Sequence, residues 1–326
     1  MNLTTSRTKV VGVDVSYEVT TYAIVDIKGN IIAEDHFPTI DYPEASAFVA
    51  ELCHRIAAMS ESYGGVAQIR SIGVSAPSAN YRTGCMENSP NMNWKGVVPF
   101  AAMIRDRLGL AVMLANNAYA RGLGEYMFGS AHGMGVFVLI TLGTGLGSCL
   151  FIDGKPYRGA DGFAGEIGHS CFKPGGRRCG CGASGCFEAY TAAKGIVTTA
   201  RELLAQSDKP SLMRHSDQLT PAVIAACCDQ GDEMAIEVYR RVGYMLGIGL
   251  ANYASVVNPE AIIFTGGISK AGKWLFDPTR QAFEDNVFRN MQGKVKMLVS
   301  EFNDRERDVL GASALAWVVP EYSLFK

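Results

Sequence analysis

One histidine and three cysteines, His169, Cys179, Cys181 and Cys186, follow the pattern H-x9-C-x-C-x4-C and offer one imidazole and three thiolates to a single cation. That donor set is the one expected of structural Zn2+; four protein ligands leave no position open for water or substrate, so the ion braces the chain and does no chemistry. The alternative is a group of buried core thiols without metal, which the C-x-C-G-x-x-G-C run after a spaced histidine disfavours. Glycines 180, 182 and 185 let the chain wrap tightly around the ion. Cys171 lies inside the segment but off the ligand spacing, and reads as a packing residue. Glu166 precedes the histidine by three residues and Glu188 follows the last cysteine by two, so the knot holds two carboxylates in fixed geometry. Glu188 has a second reading, as a carboxylate favoured at a helix N-terminus.

The elements that must position these groups read as α/β. Val10–Val15, Thr20–Asp26 and Ile31–Phe37 form a β-meander with a turn at Lys28-Gly29-Asn30. Tyr42–Tyr63 has helical spacing at Phe48, Val49, Leu52, Ile56 and Met59. A strand at Ile69–Ser75 leads into a long loop; a helix at Phe100–Leu108, a strand at Ala111–Ala115 and a helix from Asn116 to Phe128 follow. A second meander begins with Val136–Leu142, a turn at Thr144–Gly147, Ser148–Ile152 and a hairpin at Asp153-Gly154. Helices at Glu188–Gln206, Pro221–Asp229 and Glu233–Val257 come next, then a buried strand, Ala261–Thr265, ending in Gly266-Gly267, and a closing helix, Asp308–Val318. Meander plus α/β units thus occur twice, on either side of about residue 130.

The knot segment, AGEIGHSCFKPGGRRCGCGASGCFEAY, resembles the signature of the ROK family, bacterial sugar kinases and sugar-responsive repressors. The resemblance implies a two-lobed actin-like ATPase (ribonuclease H-like) kinase fold with a zinc-binding loop. The expected lobes are residues 1–130, with the helix at about 308–318 packing back onto them, and residues 131–307. It further implies hexose contacts from Glu166, His169 and Glu188, the histidine serving sugar and metal alike. GVSAPSANYRTGCMENSPNMNW is similar to the family's sugar-side loop, with Asn91 as the contacting amide; Pro77-Ser78 stands where the family has Pro-Gly, and Trp94 reads as a wall or core residue. LANNAYARGLGE is similar to N-D-A-N-A-x-A-x-G-E, which sets Asn116 and Asn117 on the family's Asn-Asp pair and Tyr119 on its second Asn. The Asp of that pair is the family's catalytic base, and an amide hydrogen-bonds a hydroxyl without taking its proton. The expected cost is about 10²–10⁴ in rate.

On the nucleotide side, LITLGTGLGS resembles the family's second phosphate loop, implying that Gly143, Thr144, Gly145 and Gly147 bring N–H groups to ATP phosphates. Taken alone the turn is weak evidence, because hairpins use glycine for positive φ. It also fails the dinucleotide fingerprint, since it opens a strand and not a helix. Gly266 and Gly267 match the adenosine-side turn. Asp14 matches the magnesium partner, yet Ser16, Tyr17 and Glu18 replace the two glycines and the threonine of the first phosphate loop.

Composition bounds the function. Hydrophobic residues at 48% and charged residues at 19% describe an ordinary globular chain, and a net charge of −2 offers no basic footprint for nucleic acid. Nine cysteines, two of them adjacent at 227 and 228, argue against a disulfide framework and for a reducing cytoplasm. No run reaches the length of a membrane span, and the first strand starts by about residue 9, leaving no room for a DNA-reading module ahead of it. The expected protein binds a hexose, with structural Zn2+ and, where active, ATP and Mg2+. It phosphorylates the 6-hydroxyl weakly or not at all; the alternative is a sugar-binding pseudokinase or sensor. The resemblance also implies a homodimer.

Overall fold

The computed structural model describes residues 7–89, 92–160 and 164–319. The chain divides into two compact units, residues 1–132 with 301–326, and residues 133–300.

In the first unit, β1 (Lys9–Val15), β2 (Val19–Asp26) and β3 (Ile31–Pro38) form the antiparallel meander. Its turn is set by Asp26, whose Oδ1 accepts from the backbone N–H of Lys28 and of Asn30, and by Gly29 at φ 85°. Helix α1 (Ala45–Glu61) buries the Phe48–Leu52–Ile56 stripe and leads to β4 (Ile69–Ser75), parallel to β1. The stretch expected as plain loop holds a small antiparallel sheet of β5 (Ala79–Asn80), β6 (Cys85–Glu87) and β7 (Val97–Val98). Helix α2 (Phe100–Leu108), β8 (Ala111–Ala115), parallel to β4, and α3 (Asn117–Phe128) complete this stretch. The main sheet runs β3-β2-β1-β4-β8. Trp94 is a core residue, its ring 4.6 Å from that of Phe48 and its Nε1–H donating to Tyr42 O at 3.0 Å.

The second unit repeats this plan. A meander of β9 (Phe137–Leu142), β10 (Leu146–Ile152) and β11 (Lys155–Tyr157) precedes α4 (Glu188–Thr191), α5 (Ala193–Gln206), α6 (Pro221–Asp229) and α7 (Glu233–Val257). Strand β12 (Ala261–Thr265), helix α8 (Lys273–Asn286) and strand β13 (Lys296–Val299) follow, and the sheet runs β11-β10-β9-β12-β13. Three antiparallel strands followed by two parallel ones is the order of the first sheet too.

Two expectations change here. Strand β10 starts at Leu146, so the turn before it is shorter than the glycine pattern suggested. The helix expected over Glu188–Gln206 breaks at Ala192, which is extended at ψ 178°; the break lets Ala193 N–H donate to Gly143 O at 3.0 Å.

Helix α9 (Asp304–Val318) belongs to the first unit and packs across β1 and β4. Its middle, Val309 to Ala316, is buried, as expected of a helix with small apolar residues all round. Close approach depends on glycine: a Cβ on Gly12 would stand 2.7 Å from Ser313 N, and one on Gly73 2.7 Å from Ala316 N. Ser71 Oγ–H fastens the crossing by donating to Ala316 O at 2.8 Å.

Candidate functional site

The four donors of the knot converge. Nitrogen and sulfur atoms of His169, Cys179, Cys181 and Cys186 all lie within 4.8 Å of one another. Cys179 Sγ is 3.7 Å from His169 Nδ1, and Cys181 Sγ is 3.6 Å from Cys186 Sγ. Tetrahedral Zn2+ with Zn–S of about 2.3 Å separates its ligand atoms by about 3.7 Å, so the set fits that ion. Without a cation the thiols differ: the Ala183 N–H and the neighbouring thiols draw Cys181 down to about 7, and burial pushes Cys186 up to about 12. A dication held by this set would resolve the difference by keeping all three as thiolates.

Backbone pairing shapes the knot. Phe172 N–H and Lys173 N–H both donate to Gly185 O, and Gly185 takes φ 85° against the Lys173 carbonyl. Arg177 then bolts the knot to the helices behind it. It donates to Gly195 O and to Thr199 Oγ1, each at 3.0 Å, pairs with Glu202 at 2.6 Å, and lies over the Tyr190 ring. Cys171 is exposed, not packed, although its backbone bridges to that of the buried Cys186.

Glu188 reaches from the first turn of α4 to the glycine turn, its Oε2 accepting from Leu146 N–H at 2.9 Å. Its Oε1 lies 3.6 Å from Cys179 Sγ. Ser148, which the sequence did not single out, donates from Oγ to Gly165 O, beside Glu166. Glu166 and His169 are exposed, and with Nδ1 turned to the sulfurs the histidine leaves Nε2 outward. The glycine turn, Glu166, His169 and Glu188 therefore occupy one neighbourhood of the second unit.

Positive φ does not explain that turn: Gly143, Gly145 and Gly147 all lie outside the positive-φ region. A Cβ on Gly143 would meet nothing within 4 Å, so this face of the backbone is open. A Cβ on Gly145 would collide with Glu188 Oε2. Thr144 is exposed, and Thr141 Oγ1 is buried without a partner among the described residues. Gly266, at φ 95°, packs its backbone against Leu142 O, and Gly267 is open. Both glycine elements lie at the carboxyl ends of parallel strands β9 and β12, where open α/β sheets receive ligands.

In the first unit Asp14, Ser75, Ser78 and Asn116 also gather at or just beyond the carboxyl ends of parallel strands β1, β4 and β8. Ser75 Oγ–H donates to Asp14 Oδ1 at 2.7 Å. Burial and the nearby Asp308 raise the Asp14 carboxyl to about 6, against the Ser75 bond and the cations Arg121 and Arg307. Arg121 Nε pairs with Asp308 at 2.6 Å, tying α3 to α9. Asn116 caps α3, its Oδ1 accepting from Tyr119 N–H at 2.9 Å. Asn117 is the first helical residue, and its Oδ1 is buried with no hydrogen-bond partner among the described residues. Asn91 lies outside the described residues.

The altered first loop is a self-contained turn. Ser16 N–H and Oγ–H both donate to Val19 O, and Ser16 Oγ accepts from Val19 N–H. Residues 16–18 have no positive φ, so the replacement of glycine costs no strain. Ser78 differs: it sits at φ 51°, the backbone region that the family's glycine would occupy freely.

Comparison with known proteins gives a consistent result. The ROK family matches residues 10–318. A glucokinase of Streptomyces coelicolor is 32% identical over 313 residues, covering 94% of this chain and 96% of that one. A ROK family glucokinase from Streptomyces griseus, solved with glucose and AMPPNP, superposes with a TM-score of 0.71 at 30% identity over 95% of this chain and 99% of that one. A ROK family transcriptional regulator, a homologue of the E. coli MLC protein, gives a TM-score of 0.81 at 26% identity, covering 94% of this chain and 77% of the regulator. Among the described residues, no helix is long and apolar enough to cross a membrane.

Proposed function

The chain belongs to the ROK family, and from that membership we propose that it is a glucokinase-like, hexose-binding phosphotransferase whose transfer step is attenuated by the amide at residue 117. Its fold is the actin-like ATPase fold of the ROK sugar kinases, with the same strand order in both sheets. The observation that carries the reading is the joining, within the second unit, of the glycine turn to Glu188 at 2.9 Å and of Glu188 to the knot. Phosphate-cradling backbone and sugar-reading carboxylates are thereby supplied together.

The roles follow from chemistry. Glu166 and Glu188 accept from sugar hydroxyls, and His169 Nε2, Asn116 and Asn91 add contacts. Asn117 Oδ1, an acceptor without a partner among the described residues, receives the 6-hydroxyl proton in a hydrogen bond but does not remove it. Thr144 and Gly145 N–H groups would meet ATP phosphates, Gly266 and Gly267 would leave room for adenosine, and Asp14 would hold Mg2+, which would supply charge neutralisation to the transferring phosphoryl. His169, Cys179, Cys181 and Cys186 would hold Zn2+ as a structural ion that takes no part in the chemistry. We expect a cytoplasmic homodimer; the cysteines outside the knot are free thiols, which suits a reducing compartment.

A second reading, a sugar sensor without transfer, is favoured by the closed Ser16–Val19 turn together with Asn117. One experiment separates them: calorimetric titration with glucose, N-acetylglucosamine, N-acetylmannosamine, fructose and allose, followed by a coupled phosphorylation assay with Mg-ATP. Binding with slow turnover supports the attenuated kinase, and binding with none supports the sensor. Failure to bind any hexose defeats both.

A further inference from the structure

Leu146 is gripped on both sides of its peptide. Glu188 Oε2 accepts its N–H at 2.9 Å, and the backbone of Gly168, in the segment before the knot, packs so closely on its carbonyl oxygen that a Cβ there would clash. Gly143 O accepts from Ala193 N–H, just after the same short helix that carries Glu188. Ser148 Oγ–H, two residues beyond Leu146, is bonded to Gly165 O. The glycine turn is thus clamped by the two chain segments that enter and leave the Cys/His cluster. Gly145 is glycine because the carboxylate of Glu188 occupies the place of its Cβ. A residue whose only task was to read a sugar would not need a backbone N–H of the phosphate turn as its partner.

We propose that Glu188 is a positioning residue that transmits the order of the metal knot to the phosphate turn, so that Zn2+ loading and nucleoside triphosphate binding are energetically coupled. The phosphate half of this rests on the role given to the turn under the proposed function. The clamp itself does not. Zn2+ would draw Cys179 and Cys186 together, fixing the chain that leads into Glu188; the carboxylate then holds Leu146 and, through it, the Thr144 and Gly145 N–H groups in one arrangement. Because the coupling is reciprocal, triphosphate binding should also slow metal loss.

The test is amide hydrogen exchange of the 143–147 segment in the full chain, zinc-loaded and chelator-treated, alongside AMPPNP titration without sugar. We expect exchange of that segment to rise about tenfold on metal removal and in zinc-loaded Glu188→Ala, which still binds a single Zn2+ because residue 188 is not a ligand. Glu188→Gln, whose carbonyl still accepts from Leu146 N–H, should restore protection, and Gly145→Ala should mimic Glu188→Ala by displacing the carboxylate. AMPPNP affinity should fall about fivefold or more in the stripped protein and in Glu188→Ala. Should the stripped protein unfold, the Ala and Gln variants, compared with zinc bound, decide the matter. Unchanged exchange in Glu188→Ala, or equally fast exchange in Glu188→Gln, overturns the clamp. If the unaltered chain binds no AMPPNP, the phosphate role and the coupling fall, while exchange still judges the clamp.

Discussion

Restoring a carboxylate at residue 117 is the sharpest perturbation available. Asn117 is the first residue of α3, directly after a cap whose Oδ1 already accepts from Tyr119 N–H. Asn117→Asp changes one NH2 for an oxygen, so neither volume nor cap is disturbed. A negative charge in the first helical turn is favoured by about 0.3–1 kcal/mol. Against this, Asn117 Oδ1 is shielded from solvent with no partner among the described residues, and ionising that position carries a desolvation cost of the same order or larger. Arg121, one turn along the helix, gives limited compensation because Asp308 holds it at 2.6 Å. The two terms leave stability within about 1 kcal/mol of the parent, and the desolvation raises the carboxyl toward the range where it serves as a base. Turnover should then rise by about 10²–10⁴, with hexose affinity changed by less than about tenfold, in a coupled assay at saturating Mg-ATP from pH 6 to 9. The reasoning fails if the variant folds and binds hexose yet gains less than about tenfold in kcat. The deficit would then lie in the Ser16–Val19 turn.

Three further outcomes follow from the same geometry. Asp14 has its carboxyl raised from 3.8 to about 6 by burial and Asp308, so the fold favours its protonated form; that stabilisation is full below about 3.8 and is lost as pH rises through about 6. Asp14→Asn should therefore stabilise the chain at pH 7.5 by about 1–2 kcal/mol, less than the full shift because the carboxyl is part-exposed, and flatten the dependence between pH 4 and 6 in urea melts while abolishing any Mg-ATP response. Ser78→Gly relieves a left-handed residue at φ 51° and should add about 0.5–1 kcal/mol, read as a higher denaturation midpoint; no gain would mean that the loop had relaxed around the serine. Gly73→Ala drives a Cβ into the α9 backbone, 2.7 Å from Ala316 N, and should cost about 2–3 kcal/mol, with the loss concentrated in the first unit; a neutral result would refute the close crossing of α9 over β4.

What the sequence revealed and what it hid divide along physical lines. The Cys/His donors were legible because ligand chemistry fixes their spacing locally, and they converge within 4.8 Å. The meanders were legible because a strand buried on both faces, such as Lys9–Val15 with its buried Val10–Val13 stretch, reads as a short apolar run bounded by turn residues. Helix α8 was not, since Pro278 interrupts its pattern; packing against Gly243 and Gly247 of α7, where a Cβ would crowd Pro278 and Phe283, is what secures it. The sheet of β5, β6 and β7 has strands of two or three residues, too short for any periodicity to show. The break at Ala192 answers to a carbonyl on Gly143, far away in sequence.

The glycine turn yields the more general point. Its glycines invite the reading that a hairpin needs positive φ, yet Gly143, Gly145 and Gly147 lie outside that region. What they provide is the room left by a missing side chain: at Gly145 the Glu188 carboxylate takes that room, and at Gly143 it stays empty. An empty place beside an exposed backbone is where an incoming phosphate oxygen can approach, whereas a filled one marks a contact within the protein. A sequence prints the same letter for both, so the distinction between a binding glycine and a packing glycine in this turn exists only once Glu188 has been brought to its neighbour.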